Sequence, residues 1–435
     1  MPVPHAQRRT GNSGTLQDVD EHLGERLDGA ADSSTPPTTS RRPRVLMTLA
    51  DAPWPPNSGK RIRARTALEA LARIADVDVV VIFPGSDDVH APPNVELRSF
   101  QTVPVGQPAR SRAGLRLLSG RPWRLANQDW ASAEQVIGNL DPGPFDLVWF
   151  GLVDHAYALG PAVRARRSIV DLDDIETDKI HSQLAMPTDM DGTTRAERTQ
   201  RRIELPMWAR IERLTVRSAD RVLVCSERDR ILLDAPNISV VPNTYPEPSP
   251  PVTGERDHPN DIVMVANYDY EPNLDGAVFM AHEVLPEVRA AHPDTRLVIV
   301  GKGGDARLSA LNNEPGVNVI GPVDDPGDYL RHATITVAPL RFGGGTRVKL
   351  IEAFAYGLAS VTTTLGCTGL AVEDGREVLI RDDPHEFAQA VIGLLGDRDA
   401  VRRMGRSARA LYERDYRPEV AKTIITTLLR HVLAG

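Results

Sequence analysis

The chain has 435 residues, of which 41% are hydrophobic and 25% charged, and a formal net charge of -8 at pH 7. That length exceeds what one hydrophobic core usually serves, and the composition excludes a wholly disordered or membrane-embedded chain. The acidic balance excludes a general nucleic-acid binder, whose affinity rests on Lys and Arg neutralising phosphate.

Residues 1–42 are Gly, Ser, Thr, Pro and charge with no apolar h-region, so they read as a disordered tail and not as a signal peptide. No apolar run approaches the ~20 residues of a membrane-spanning helix, so any membrane contact is expected to be peripheral. Cys225 and Cys367 stand far apart without CxxC or Cys/His spacing, which suggests neither a disulfide nor a zinc site and points to a reducing cytoplasm.

The first strand is expected over 44–49, followed by a Pro/Gly-rich loop at 50–60. A helix follows over 61–75 with Ile62, Ala64, Leu68, Leu71 and Ala72 as its apolar stripe, and then a buried parallel strand over 77–83. Arg110, Arg112, Arg116, Arg121 and Arg124 occur without an acid between them and alternate with Leu115, Leu117, Leu118 and Trp123. Such a segment reads either as a solvated helix or as a peripheral contact with an anionic membrane. Strand-like runs at 147–150, 168–172 and 221–225 alternate with helical stretches, including 195–219, which makes 43–240 a first α/β domain.

Five prolines in 241–254 mark a linker. Beyond it, strands at 262–266, 297–300, 317–320, 335–337 and 359–362 alternate with helices near 276–291, 347–356, 385–395 and 400–413. The second domain is thus expected over 255–415, with a last helix in 416–435 packing back on the first. The fold class is α/β, with two Rossmann-like doubly wound domains facing across a cleft, where the carboxyl ends of the strands place ligands.

The most informative stretch is PLRFGGGTRVKLIEAFAYG at 339–357. A strand end passes through Gly343, Gly344, Gly345 and Thr346 into a helix, so backbone and helix N-terminus can approach an anion; the alternative is a flexible turn. Arg347 and Lys349 put cations in the first turn, where the helix dipole disfavours them, and a diphosphate would compensate. Lys349, Glu352 and Tyr356 share one face, opposite Val348, Ile351, Phe354 and Ala355. By spacing alone Glu352 is equally an exposed partner of Lys349, worth tenths of a kcal/mol, or a carboxylate facing the cleft.

In the first domain Gly59 either admits donor phosphate or sugar or makes a tight turn. Asp171, Asp173 and Asp174 lie at a strand's carboxyl end, where they can orient an acceptor hydroxyl or act as a base; helix capping by Asp174 is the blander alternative. A divalent metal held by this cluster is disfavoured if Arg and Lys neutralise the diphosphate. Gly301–Ala306 fits G-x-G-x-x-A with Asp324 beyond it, but the next helical stretch is short and polar, and this strand is not the first of its domain, so a dinucleotide site is rejected.

On these residues the chain resembles the retaining family 4 of glycosyltransferases, which have the GT-B architecture. GGGTRVKLIEAFAYGLASVTTTLGCTGL is similar to the family's signature region, PPNSGKRIR at 55–63 to its first loop, DLDDIE at 171–176 to its mid-domain motif, and NYDYEPNLDG at 267–276 to the second domain's opening loop. The resemblance implies a metal-independent hexosyltransferase that takes a nucleotide-diphosphate sugar as co-substrate, with no cofactor. It implies that Glu352 binds the ribose and that Arg347 and Lys349 neutralise the diphosphate. Gly59, Asn267 and the Gly343–Thr346 loop would complete the donor site, with Gly321 and Val323 beside the base.

The acceptor, whether a glycan, a lipid-linked glycan or a small molecule, is expected on the first domain near Asp173 and Asp174, in an enzyme that is cytoplasmic or peripheral at the inner membrane face. Four positions depart from the pattern. Gly344 stands where many members carry a first glutamate, Asn267 and Tyr268 where many carry Arg and Lys, and Asp173 where many carry His. A nucleotide-sugar epimerase of the same fold, or a catalytically silent binding module, are the alternatives.

Overall fold

The computed structural model describes residues 41–82, 89–104, 120–140, 143–186, 194–250, 258–344 and 347–434. The Val/Ile-rich runs form strands buried on both faces, as parallel sheets covered by helices require. In the first domain these are β1 (Arg44–Leu49), β2 (Asp76–Ile82), β3 (Ser99–Val103), β4 (Phe145–Phe150), β5 (Ala165–Leu172), β6 (Arg221–Val224) and β7 (Ile238–Val240). The second has β8 (His258–Val265), β9 (Arg296–Val300), β10 (Val317–Gly321), β11 (Ala333–Ala338), β12 (Ala359–Thr362) and β13 (Leu379–Ile380).

All pairings are parallel, in the orders β3-β2-β1-β4-β5-β6-β7 and β10-β9-β8-β11-β12-β13. Each sheet therefore starts in its middle, grows outward, and then crosses to the other side. The order reverses between β1 and β4 and between β8 and β11, and loops leaving such neighbouring strands diverge to open a crevice. The Pro-rich loop before Gly59 follows β1. The glycine loop at 343–345 follows β11.

Residues 42–435 form one compact unit. The first helix is Gly59–Ala72, capped by the Ser58 side chain at the Arg61 amide. It buries Arg63 and Thr66 as well as Ile62, Leu68 and Leu71, while Ala64 and Ala72 stay partly exposed. The two polar residues are buried because the linker crosses that face: Thr66 lies 3.4 Å from Thr244, and Arg63 donates to the Val241 carbonyl at 2.8 Å and to Asn243 at 3.0 Å. Arg63 also makes a buried pair with Asp171 at the end of β5. Burial opposes its charge, but Asp171 more than compensates and raises its pKa.

The helix expected near 276–291 begins earlier, at Glu271, with Pro272 in its first turn, and carries a π turn at Met280–Val284 before Leu285–Ala291. The last helix, Pro418–Ala434, buries Ala421, Ile425, Leu429 and Val432 in the first domain's core beside Val45, Met47 and Leu68. Lys422 pairs with Glu69 of the first helix at 2.5 Å. The chain therefore crosses between the domains twice, once through the linker and once into this helix.

Asp171→Ala leaves the Arg63 guanidinium buried without its carboxylate, and losing one partner of a buried pair costs about 3–5 kcal/mol. Urea denaturation is expected to show a loss of that size; a change below about 1 kcal/mol, the scale of a solvated surface pair, would contradict the buried-pair assignment.

Candidate active site

The glycine loop carries a close approach between the two domains. Gly343 has φ +107°, a conformation side chains resist, and a Cβ there would lie 2.5 Å from the Tyr270 hydroxyl. At Gly344 a Cβ would lie 2.9 Å from Cβ of Lys179, on the first-domain helix Glu176–Ala185. Ser182 of that helix seals the contact, its hydroxyl within 3.2 Å of both the carbonyl oxygen and the amide of Gly343. Gly59 makes a comparable approach, because a Cβ there would lie 2.9 Å from the Val348 side chain. On the side a Cβ would occupy, the space beside Gly59 is thus taken by Val348 of the opposite domain. Gly345 and Thr346 lie outside the described residues.

Arg347 is buried and turns back on its own loop. Its guanidinium donates to the carbonyls of Gly343 and Leu365, each at 3.1 Å, and to that of Gly344. It acts first as a staple for the loop, which the sequence reading did not anticipate. Lys349 points across to the opening helix of the second domain, and its ammonium donates to the Asn273 side chain. Asn273 in turn donates to the Asn267 carbonyl at 2.6 Å. The Asn267 side chain itself accepts from the Asp269 amide at 3.1 Å, so its oxygen serves the turn, and Tyr268 is a core residue whose hydroxyl donates to Met264.

Among the described residues neither Arg347 nor Lys349 has a carboxylate partner within ion-pair distance. Burial lowers the Arg347 pKa, and burial with Arg347 alongside, opposed by Glu352, brings Lys349 down to about 7.

Glu352, one turn along, is 9% exposed and does not pair with Lys349, which overturns the exposed-salt-bridge alternative. Its Oε1 accepts from the Tyr245 hydroxyl of the linker at 2.5 Å. Burial raises its pKa to about 7, against the Tyr245 hydrogen bond and Lys349. Tyr356 is buried on the same helix, and Val323, partly buried, packs with Tyr245 against the same core. Gly321, with φ +82°, accepts from the Gly301 amide at 2.9 Å. The rejected glycine motif at 301–306 closes on its own domain, its Gly304 amide donating to Asp269.

The three aspartates of the mid-domain motif separate. Asp171 is held by Arg63. Asp173 accepts from Asn243 at 3.0 Å, and the Cys225 thiol donates to it at 3.4 Å. Among the described residues Asp174 makes no hydrogen bond and caps nothing, since Glu176–Ala185 begins with no side-chain cap. Burial, with Asp173 beside it and Lys179 and Lys60 opposing, raises Asp174 to about 6.

Asp173 and Asp174 line a cavity of about 170 Å³ at the carboxyl edge of the first sheet, together with Lys60, Gln128, His155 and Glu176. Gln128 Oε1 is buried there without a hydrogen-bond partner among the described residues. His155 is held neutral, pushed down to about 3 by burial. Among the described residues no group of three or more His, Cys, Asp or Glu could hold a metal ion. Of the basic stretch, Arg110, Arg112 and Arg116 lie outside the described residues. Arg124 is no free surface charge: it pairs with Asp154 and Glu176 and stacks over Trp208.

Against this geometry the family match falls on the second domain. Residues 259–397 match the family model for glycosyl transferases group 1. An exopolysaccharide phosphotransferase of Streptomyces coelicolor is 28% identical over 209 residues, covering 43% of this chain and 21% of that protein. A phosphatidyl-myo-inositol mannosyltransferase of Mycolicibacterium smegmatis is 31% identical over 142 residues, covering 31% of this chain and 36% of that one. The chain thus spans about a fifth to a third of the length of these two relatives.

Among solved structures, sucrose-phosphate synthase of Thermosynechococcus elongatus superposes with TM-score 0.65 at 17% identity, over 91% of this chain and all of that one. The Anabaena HepE protein in complex with UDP and glucose gives 0.56 at 14%, over 90% of this chain and all of the other. These likenesses show the fold, which is GT-B: two parallel-sheet α/β domains.

Spacing carried no signal for Tyr245, Lys179, Ser182, Asn243 or Gln128, which reach the site only through folding. Gly344→Ala sets a methyl against the Lys179 backbone and stem, and overpacking of this kind costs about 1–3 kcal/mol. A fall in melting temperature is expected; an unchanged value would mean that the helix is not seated on the loop.

Proposed function

We propose that the protein is a retaining glycosyltransferase that moves a hexose from a nucleotide-diphosphate donor to an acceptor hydroxyl without a metal ion. The observation that carries this reading is the pair of cations, Arg347 and Lys349, buried at a helix N-terminus without carboxylate partners, next to the buried carboxylate of Glu352. Buried charge is costly unless matched, and a diphosphate matches it with the helix amides adding their dipole. The family match over the second domain and the UDP and glucose held by the Anabaena protein of the same fold support the donor class.

Glu352 Oε2 has no protein partner among the described residues and is free to accept from the ribose hydroxyls. The acceptor enters the first-domain cavity, where Asp174, without a hydrogen bond among the described residues and with a raised pKa, takes the proton of the attacking hydroxyl and Asp173 orients it. Gln128 Oε1 suits a hydroxyl-rich ligand such as a sugar or polyol, because it can only accept. The diphosphate leaves on the face that the acceptor attacks, through an oxocarbenium-like state, so the enzyme's work is positioning and charge stabilisation. If the acceptor is lipid-linked, half-exposed Trp123 would help hold a cytoplasmic enzyme at a membrane face, with Arg124 left to its pairs with Asp154 and Glu176.

The titrations give the reading its test. A bound diphosphate favours charged Lys349, so affinity is full below pH ~7 and falls above it as the free enzyme loses that proton. Ionised Glu352 favours ribose, so affinity rises as pH increases toward ~7. Calorimetry with a panel of nucleoside diphosphates is expected to show affinity peaking near neutrality, with Lys349→Met erasing the alkaline limb and Glu352→Gln the acid limb. Losing a charge-assisted bond of ~1.5–3 kcal/mol, Glu352→Gln should also lower transfer efficiency at least about tenfold. Chelator-treated enzyme should keep most of its rate. A flat pH profile, with neither variant changing affinity, would overturn the donor site; donor binding without transfer or hydrolysis would leave a binding module, the alternative that Gly344 and its neighbour Lys179 favour.

A further inference from the structure

Glu352 faces a conflict. A carboxylate that accepts ribose hydroxyls must be ionised, yet this one is buried, and burial favours the neutral acid. The groups facing it are few: Lys349 and Tyr356 on its own helix, Asp325 from the loop before Gly327–His332, and Tyr245 from the linker. Arg331 stacks over Tyr356 and pairs with Asp325, so its charge is directed to those neighbours. Asp325 opposes ionisation of Glu352; Lys349 and Tyr245 support it.

Tyr245 hydrogen-bonds the carboxylate directly, and its own position is fixed at both ends of its backbone. Its amide donates to the Tyr416 carbonyl at 3.2 Å, and the Tyr412 hydroxyl donates to its carbonyl at 2.9 Å. Two residues on, Glu247 pairs with Arg409. Although it belongs to the linker, Tyr245 is thus braced on the turn Tyr412–Tyr416, and its ring packs on the second domain's core. Those bonds fix the backbone from which its side chain reaches Glu352.

We propose that Tyr245 is a positioning residue for the donor, fixing one oxygen of Glu352 so that the carboxylate presents its other oxygen to the ribose diol. This rests on the donor-site reading above and assigns a role to a residue outside the signature region. The hydroxyl only donates to Glu352, because burial and the neighbouring carboxylate push its own pKa far up. It therefore favours the charged carboxylate and locks a rotamer that a long side chain would otherwise lose on binding.

The test is Tyr245→Phe, which keeps the ring on the core and removes the one donor. Carbon-detected NMR of the Glu352 carboxyl in the ligand-free full chain should show its pKa rising by about one unit, a shift read without any donor. Calorimetry with the nucleoside diphosphate that binds best should show the acid limb moving up by the same amount and the alkaline limb staying in place. Affinity at pH 7 should fall about three- to tenfold and recover partly above it, a pattern that mere loss of packing would not produce. An unmoved Glu352 pKa, or tighter binding because the hydroxyl had competed with ribose, would overturn the proposal. If the pKa moves in Tyr245→Phe while Glu352→Gln leaves affinity untouched, the Tyr245–Glu352 coupling stands and the ribose assignment of Glu352 is what fails.

Discussion

The cleft is set by a backbone approach that only glycine permits. At Gly343 and Gly344 the second domain's loop lies against Tyr270 on one side and Lys179 with Ser182 on the other, so no side chain fits between them. That contact fixes the distance from the glycine loop to the first-domain helix Glu176–Ala185, and so to Asp173 and Asp174 just before it. Arg347 holds the loop in shape by donating to three of its neighbouring carbonyls. A glutamate at 344, which the resemblance leads one to expect, would have to displace Lys179. The absent carboxylate and the tight domain contact are two sides of one packing decision.

Charge follows from that geometry. Because Arg347 spends its N–H groups on carbonyls, it supplies field more than direct bonds, and Lys349 is left as the cation whose protonation is most open to change. Its pKa and that of Glu352 both lie at about 7. For both the dominant cause is burial, which works in opposite senses on an acid and a base. The site is thus held near the midpoint of two titrations, a state that an anion and a ribose diol would resolve in favour of both charged forms.

The linker connects the two halves of this chemistry. Within five residues it offers Val241 and Asn243 to Arg63, Asn243 to Asp173, and Tyr245 to Glu352. A segment with no helix or strand of its own needs such partners for its backbone and side chains, and here they are the charged groups of both domains. The final helix repeats the tie at the far side through Lys422 and Glu69. Domain position is therefore determined by buried polar contacts as well as by apolar packing.

The sequence by itself determined the alternation of strands and helices, because buried parallel strands need runs such as VDVVVI and helices need an apolar face at 3.6-residue spacing. It also singled out the glycine loop with Arg347, Lys349 and Glu352, since glycines leading into a cationic helix start contradict what an ordinary helix prefers. Short elements such as β3, β7 and β13 escaped, being edge or near-edge strands with weak patterns. Tertiary structure alone decided what each charged residue faces. Spacing could not tell whether Glu352 met Lys349 or Tyr245, whether Asp174 capped a helix or stood free, or that Gly59 made room for Val348. Those outcomes depend on contacts between segments up to 289 residues apart, as at Gly59 and Val348, and local periodicity carries no record of them.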